Sequence, residues 1–461
     1  MKIPSPPSRT ILGIVLLLLA LPVGAQEPPP EPARFLLEKI TVLGPKAAAA
    51  NIVRSETLLR EGQSYTEDEL RQAVARIHRL PFVLDASFAL QKGSQRGAFE
   101  LVIETHPARW FFFDHWARAY RLDEPLAINP EGSETFSSRE SSTFSLGGLI
   151  GARKFVGNSG VVFAALDSEE TLQVGFTQYD LFHRGVVASA GYSRGLCCET
   201  EVLPIGLDPT FAGWSFDDSQ RFSLNLTVPL GGRQSIQVAV SDRAGEAGVR
   251  REVLASPADR FRDSNLVNGD LSYRRAEAKW VYNTSDDPVL PTRGVTLSAG
   301  LEASRFSGRD LERFRFSPDL FEFVPAPPFD SEQVVAAFSG VRHWSITPRQ
   351  TVSGHGRLSV GRSRVENLLL EDRFVPSLTL NSYGGSAGVL HSLTLRRARG
   401  RGNFTDLRLE SGAEYGMERT WPDVGPSPLE RFSASVALVF RNQWGRVRAS
   451  LTYLDLGKVF R

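Results

Sequence analysis

From about Trp110 to the C-terminus the chain writes short stretches in which apolar and polar residues alternate, with no helical stripe between them. Phe222, Leu224, Leu226 and Val228 alternate with Ser223, Asn225 and Thr227, and Pro229-Leu230-Gly231-Gly232 then turns the chain toward Ile236, Val238 and Val240. Val295, Leu297, Ala299, Leu301 and Ala303 keep the rhythm, as do Phe432, Ala434, Val436, Leu438 and Phe440. Successive strand side chains point to opposite faces, so each stretch offers one face to lipid or a core and one to water. A soluble β-sandwich shares this period, and other features have to separate the two.

The N-terminus is the first such feature. Lys2 and Arg9 precede an apolar run from Ile11 to Leu21, and Val23-Gly24-Ala25 supplies small residues for cleavage. Residues 1–25 therefore read as a secretory signal peptide cut before Gln26. The run is shorter than the roughly 20 residues a spanning helix needs. With 41% hydrophobic residues and a mean hydropathy of −0.17, no later segment reads as a membrane helix. An exported chain of this kind crosses a membrane only as a closed barrel, because lipid offers no partner to an open sheet edge. A net charge of +1 names no partner, and two adjacent cysteines, Cys197 and Cys198, supply no disulfide framework.

Residues 26–34 are Pro/Glu-rich and read as a linker. A compact unit, 35–107, follows. Phe35 to Leu43 predicts a strand, Asn51 to Leu59 a short helix, and Thr66 to Arg79 a second helix opened by the capping box Thr66-x-x-Glu69. Leu70, Val74 and Ile77 form its buried stripe, and Pro81 ends it. Two strands complete a β-α-α-β-β order: Leu84, Ala86, Phe88 and Leu90 alternate in one, and Phe99, Leu101 and Ile103 in the other. This order, with the wording GQSYTEDELRQAVARIHRLPFVLDASFAL, resembles a polypeptide-transport-associated (POTRA) domain. One such domain ahead of a barrel is similar to the BamA and two-partner-secretion superfamily of outer-membrane proteins.

The expected fold is therefore an α+β POTRA domain followed by an all-β antiparallel transmembrane barrel over 108–461. Strands are expected near 110, 143, 160, 171, 184, 220, 234, 270, 293, 333, 350, 403, 430 and 446, fourteen in number, where the resemblance implies about sixteen. Long polar segments near 121–140, 195–219, 244–268, 307–330 and 364–402 read as outer loops, with short turns at the other end.

Three motifs carry the resemblance further. Pro291-Thr292-Arg293-Gly294 reads as a tight turn, generic or the family's periplasmic turn, in which Gly294 takes φ > 0. Gly384 to Asn403 resembles the family's inward-folding loop, with Gly384, Gly385 and a tip at Leu390-His391-Ser392-Leu393. His391 and Ser392 stand where relatives carry Arg and Gly, so the resemblance implies a weaker, pH-sensitive latch; an ordinary outer loop is the alternative. The wall carboxylate that such a loop would meet is Glu414, in Gly412-Ala413-Glu414-Tyr415-Gly416, or Asp455, in Tyr453-Leu454-Asp455-Leu456-Gly457. Asp455 in that role leaves the barrel about three strands short of its relatives. Arg396, Arg397, Arg399 and Arg401 form a basic cluster suited to a solvated loop, lipid headgroups or lumen carboxylates.

Enzyme readings lack context. Gly191-x-Ser193-x-Gly195 and Gly384-x-Ser386-x-Gly388 match the nucleophile-elbow pattern without its strand-turn-helix, and the seven histidines show no metal-like spacing. No catalysis and no cofactor are expected. The expectation is an outer-membrane barrel that inserts or translocates polypeptide, its periplasmic POTRA domain adding a client strand along Leu84, Ala86, Phe88 and Leu90. The alternative is a non-translocating structural, pore-forming or surface-interaction barrel with a degenerate inner loop. Expected partners are outer-membrane lipid and client polypeptide, with self-association open and no nucleic acid.

Overall fold

The small unit forms where its sequence places apolar stripes. The computed structural model describes residues 33–44, 47–126, 137–155, 159–168, 171–195, 199–201, 214–248, 267–286, 291–317, 320–325, 328–370, 373–400, 403–421, 429–442 and 444–456. Strand β1 (Arg34–Leu43) leads to helix α1 (Ala47–Thr57), a short β2 (Ser64–Thr66), helix α2 (Glu67–Ile77), β3 (Val83–Lys92) and β4 (Ala98–Pro107). The sheet order is β2-β1-β4-β3, with β1 and β4 parallel and β3 antiparallel at the edge. Thr66 caps α2: its hydroxyl accepts from the Glu69 N–H while the Glu69 carboxylate accepts from the Thr66 N–H, the expected reciprocal box. Leu70, Val74 and Ile77 are buried against Leu37, Ile40, Leu101 and Ile103. Each such fully buried aliphatic side chain contributes about 1.5–3 kcal/mol.

The rest of the described chain is one sheet. Its full-length staves are β5 (Phe111–Leu126), β6 (Ser137–Phe155), β7 (Gly160–Asp167), β8 (Thr171–Leu181), β9 (Val186–Gly195), β11 (Trp214–Pro229), β12 (Gln234–Gly248), β13 (Val267–Asn283), β14 (Gly294–Ser317), β16 (Phe329–Thr347), β17 (Gln350–Leu370), β18 (Arg373–Gly400), β19 (Asn403–Trp421), β20 (Leu429–Asn442) and β21 (Gly445–Leu456). Two short strands, β10 (Glu199–Glu201) and β15 (Leu320–Pro325), pair with the extensions of β11 and β14. Neighbouring staves pair antiparallel, and β21 closes the cylinder by pairing with β5 from Gly445↔Phe113 to Asp455↔Asp123. That closing pair is parallel. Staves that alternate up and down in an odd-numbered ring bring the first and last strands together in the same direction, and this ring has fifteen.

Fifteen replaces the expected fourteen or sixteen, and the stave that was not expected is β18. The segment read as an inward loop pairs residue by residue with β17 on one side, Leu390↔Ser353 and Gly384↔Ser359, and with β19 on the other, Leu390↔Gly412 and Gly384↔Glu418. Gly384, Gly385, Leu390, His391, Ser392 and Leu393 therefore belong to the wall. Of the elbow-like matches, 191–195 lies in β9 and 384–388 in β18, both continuous strand. The signal peptide, residues 26–32 of the linker, Cys197, Cys198 and Arg401 lie outside the described residues.

Candidate functional site

The outer face of the cylinder is apolar. Phe222, Leu224 and Leu226 on β11 are exposed, as are Val238 and Val240 on β12, Leu301 on β14, Val334 and Phe338 on β16, Val360 on β17 and Leu451 on β21. The register continues the band from strand to strand: Leu224↔Val240, Val240↔Ala276, Ala276↔Ala303 and Ala303↔Val334. The opposite parity faces the lumen and carries charge. Arg275 meets Glu302 at 2.8 Å and Glu277 at 3.1 Å, Arg408 meets Asp406 at 2.8 Å, and Arg448 meets Glu410 at 3.4 Å. A wet face inward and an apolar face outward is the arrangement that bilayer strands require. The chain is a closed β-barrel of the outer-membrane type.

No family model and no curated protein matches the chain. Among solved structures it is similar to BamA from Haemophilus ducreyi lacking POTRA domains 1-3, with a TM-score of 0.40 and 12% identity, over 91% of this chain and 80% of that one. It is also similar to CdiB from Acinetobacter baumannii, with a TM-score of 0.39 and 10% identity over 88% and 70% of the two chains. CdiB from Escherichia coli gives 0.33 and 10%, over 91% and 85%.

Glu414, one of the two expected wall carboxylates, has an ion-pairing partner on another stave. Its Oε2 lies 3.5 Å from His355 Nε2, and the two side chains reach over β18 at Gly388, which is in register with both. A Cβ on Gly388 would come within 2.6 Å of the His355 ring. His391 occupies the other parity of β18, in register with Val352 and Ser411, on the side of the exposed Val389. The expected latch between His391 and Glu414 is therefore corrected: strand alternation separates them by a face, and the histidine at the carboxylate is His355. That pairing was not anticipated because cross-strand register cannot be read from one sequence. Asp455 stands at the end of β21, in register with Phe432. Of the basic cluster, Arg397 lies 3.9 Å from Asp406, on the lumen side.

The expected turn forms between β13 and β14. Asp286 gathers it: Oδ1 accepts from the Thr292 and Arg293 N–H groups at 2.8 and 3.0 Å, and Oδ2 accepts from the Thr292 hydroxyl. Gly294 has φ +108°, and a Cβ there would stand 2.5 Å from the Thr284 carbonyl oxygen.

The α+β domain sits on the short-turn end of the barrel through a buried polar joint. Arg76 of α2 donates from Nε to the Glu56 carbonyl at 2.9 Å and pairs through Nη2 with Glu56 Oε1 at 3.2 Å; both side chains are more than nine-tenths buried. The β8–β9 turn packs here. Tyr179 lies against the domain core, and buried Asp180 accepts from the Gly185 N–H at 2.9 Å and faces His183 at 3.2 Å. Asp180, Phe182, His183 and Gly185 all have φ between +55° and +66°, a strained turn held from both sides. A second tie runs from the β11–β12 turn, where Arg233 Nε donates to Gln72 of α2. Burial pushes the Glu56 carboxyl up to about 7; Arg76 and Arg79 oppose the shift, and Asp180 adds to it. Burial likewise lowers Arg76 and Arg79, so desolvation outweighs the attraction within this cluster.

The expected client edge is the outermost strand. Among the described residues β3 pairs with β4 alone, from Lys92↔Phe99 to Val83↔Pro107; in its other row the Ala86 N–H donates to His78 Nε2 at 3.1 Å, and no strand lies beside it. Ala86, Phe88 and Leu90 pack on the domain core, and Leu84 is half-buried. The side chains open to a partner are instead Ser87, Ala89 and Gln91.

Proposed function

We propose that this chain is an outer-membrane barrel that handles polypeptide, and that its α+β domain is a periplasmic POTRA domain receiving an extended client segment on β3. The open edge of β3 carries the reading. An exposed edge is a template for a further strand, and natural proteins cover or charge such edges when they are not used. Here the strand runs for ten residues; Asp85 and His78 cover its start at the Ala86 N–H, and from Ser87 to Gln91 it carries no charge before the terminal Lys92. Main-chain hydrogen bonds along β3 would supply affinity, while Ser87, Ala89 and Gln91 would meet the client's side chains. The contacts of Tyr179 with the domain core and of Arg233 with Gln72 hold the domain against the barrel's turns, so a segment bound on β3 would be kept near the barrel rather than released on a loose tether.

A photocrosslinking residue at Ser87, Ala89 or Gln91 in living cells is expected to capture exported polypeptide, and Lys92→Pro, which removes a backbone donor from the row facing away from β4 and spares the core side chains, to reduce capture severalfold while the barrel still inserts. Equal capture from positions on β2 at the opposite edge would contradict the reading.

A second reading has its own observation. With β18 in the wall, the segment expected to fold inward is not a loop, which favours a barrel that conducts or displays without moving polypeptide. Steady ion conductance in planar bilayers, together with unchanged client levels when β3 is altered, is the result that reading requires.

A further inference from the structure

On the outer face, at the end of the barrel away from the α+β domain, one ladder row is charged across five staves: Asp242, Arg274, Arg305, Glu332 and Arg364 are successive cross-strand partners. The row beneath it is Leu224, Val240, Ala276, Ala303 and Val334, and the next is Leu226, Val238, Ala278, Leu301 and Ala336. The change from charge to apolar surface is therefore abrupt. From Arg274 to Thr284 at the turn, at ~3.3 Å per residue and ~40° tilt, the height is about 25 Å, the span of an outer-membrane apolar band. The charged row thus stands at headgroup level.

The centre of this region is hollow. Ala276 and Ala303 lie side by side between the larger Leu224, Val240 and Val334, and with Phe222 they line a groove of about 640 Å³ whose upper rim is Asp242, Arg274, Arg305 and Glu332. The rim sets two like charges side by side. Arg274 and Arg305 are directly opposite each other, and like charges in that relation destabilise a strand pair. Each leans away: Arg274 to Asp242 at 3.2 Å, and Arg305 to Asp330 at 3.1 Å and Glu332 at 3.9 Å. The carboxylates occupy the flanks: Arg305 closes its Nε and Nη2 on Asp330, while Arg274 spends only Nε on Asp242 and keeps its Nη1–Nη2 fork exposed at the centre of the rim, above a floor of methyl groups. Guanidinium forks bind phosphate oxygens in parallel pairs, and small residues leave room for a hydrocarbon chain.

We propose that this groove binds a bilayer lipid with an anionic phosphate headgroup, the phosphate between Arg274 and Arg305 and an acyl chain over Ala276 and Ala303. The inference rests on this face meeting hydrocarbon and is independent of any client at β3. The lipid would screen the arginine pair and fill the dip between β12 and β16, fixing the depth at which the barrel sits.

The test uses the full chain purified in mild detergent, exchanged with phosphatidylglycerol or phosphatidylcholine, and examined by native mass spectrometry. The expected result is a one-to-one phosphatidylglycerol adduct, at least tenfold more abundant than the phosphatidylcholine adduct. It falls at least tenfold in Arg274→Gln/Arg305→Gln and also in Ala303→Trp, which fills the floor and keeps both arginines. Heat-modifiable migration on gels checks that each variant is still a closed barrel. Equal retention of the two lipids, retention unchanged in the double variant, or displacement of phosphatidylglycerol by inorganic phosphate alone with no effect of Ala303→Trp would overturn the assignment.

Discussion

Glu56 shows how one carboxyl can tie the stability of this chain to pH. Its folded-state value, about 7, lies above the ordinary 4.5, so the folded chain holds the proton more tightly than the unfolded chain does. The stability it contributes is fully present below about pH 4.5 and is lost as pH rises through about 7. The difference amounts to on the order of 3 kcal/mol. Hydrogen exchange in α1 and α2 is therefore expected to quicken between pH 5 and 8 in the native chain and to be flatter in Glu56→Gln. An identical slope in both proteins would show that Glu56 is not the group responsible. Gly294 makes a different kind of demand, set by backbone rather than charge. Gly294→Val forces a β-branched residue into φ +108° and against the Thr284 carbonyl. The cost is about 1–3 kcal/mol, read as a lower urea midpoint for refolding into detergent micelles.

Among the elements, helix α2 was legible almost to the residue because capping box, stripe and terminator agree. Thr66→Ala is expected to cost about 1 kcal/mol of domain stability in urea titration followed by helical circular dichroism. Stave β18 was the opposite case. Ser382, Gly384, Ser386 and Gly388 on one parity alternate with Tyr383, Gly385, Ala387 and Val389 on the other, so the period is present but muted, because glycine stands on both faces and most of the side chains are small. The same glycines have a physical use at the wall, since Gly388 lets His355 and Glu414 meet over the strand. Weak alternation and a family-like wording together made a wall strand look like a loop. Cysteines placed singly from Tyr383 to Val389 are expected to alternate in their reaction with a water-soluble maleimide, as a stave requires; uniform reactivity would restore the loop. The edge strand β3 was recognised from its alternation, but the side chains that alternate are those the domain keeps for its own core.

For the whole molecule, the division into an α+β unit and a barrel could be read from the change in period, from helical stripes before Pro107 to strand alternation after Trp110. The docking of one on the other could not, because Arg233 with Gln72, and Tyr179 with the domain core, are pairs far apart in sequence. Closure was equally hidden: nothing local in β5 or β21 states that they are partners, and their parallel pairing follows from the stave count. The most direct measurement is a cross-link over that seam. Ala117 and Ala449 are register partners on neighbouring strands at mid-seam. In a Cys197→Ser/Cys198→Ser background, Ala117→Cys/Ala449→Cys is expected to form a disulfide in purified, membrane-extracted protein. The bond should hold the barrel's compact migration on gels after heating, and Ala117→Cys paired with Val436→Cys, one stave further away, should form none. Absence of the 117–449 bond, or a bond formed equally well by the 117–436 pair, would contradict a cylinder closed by β21 lying parallel to β5.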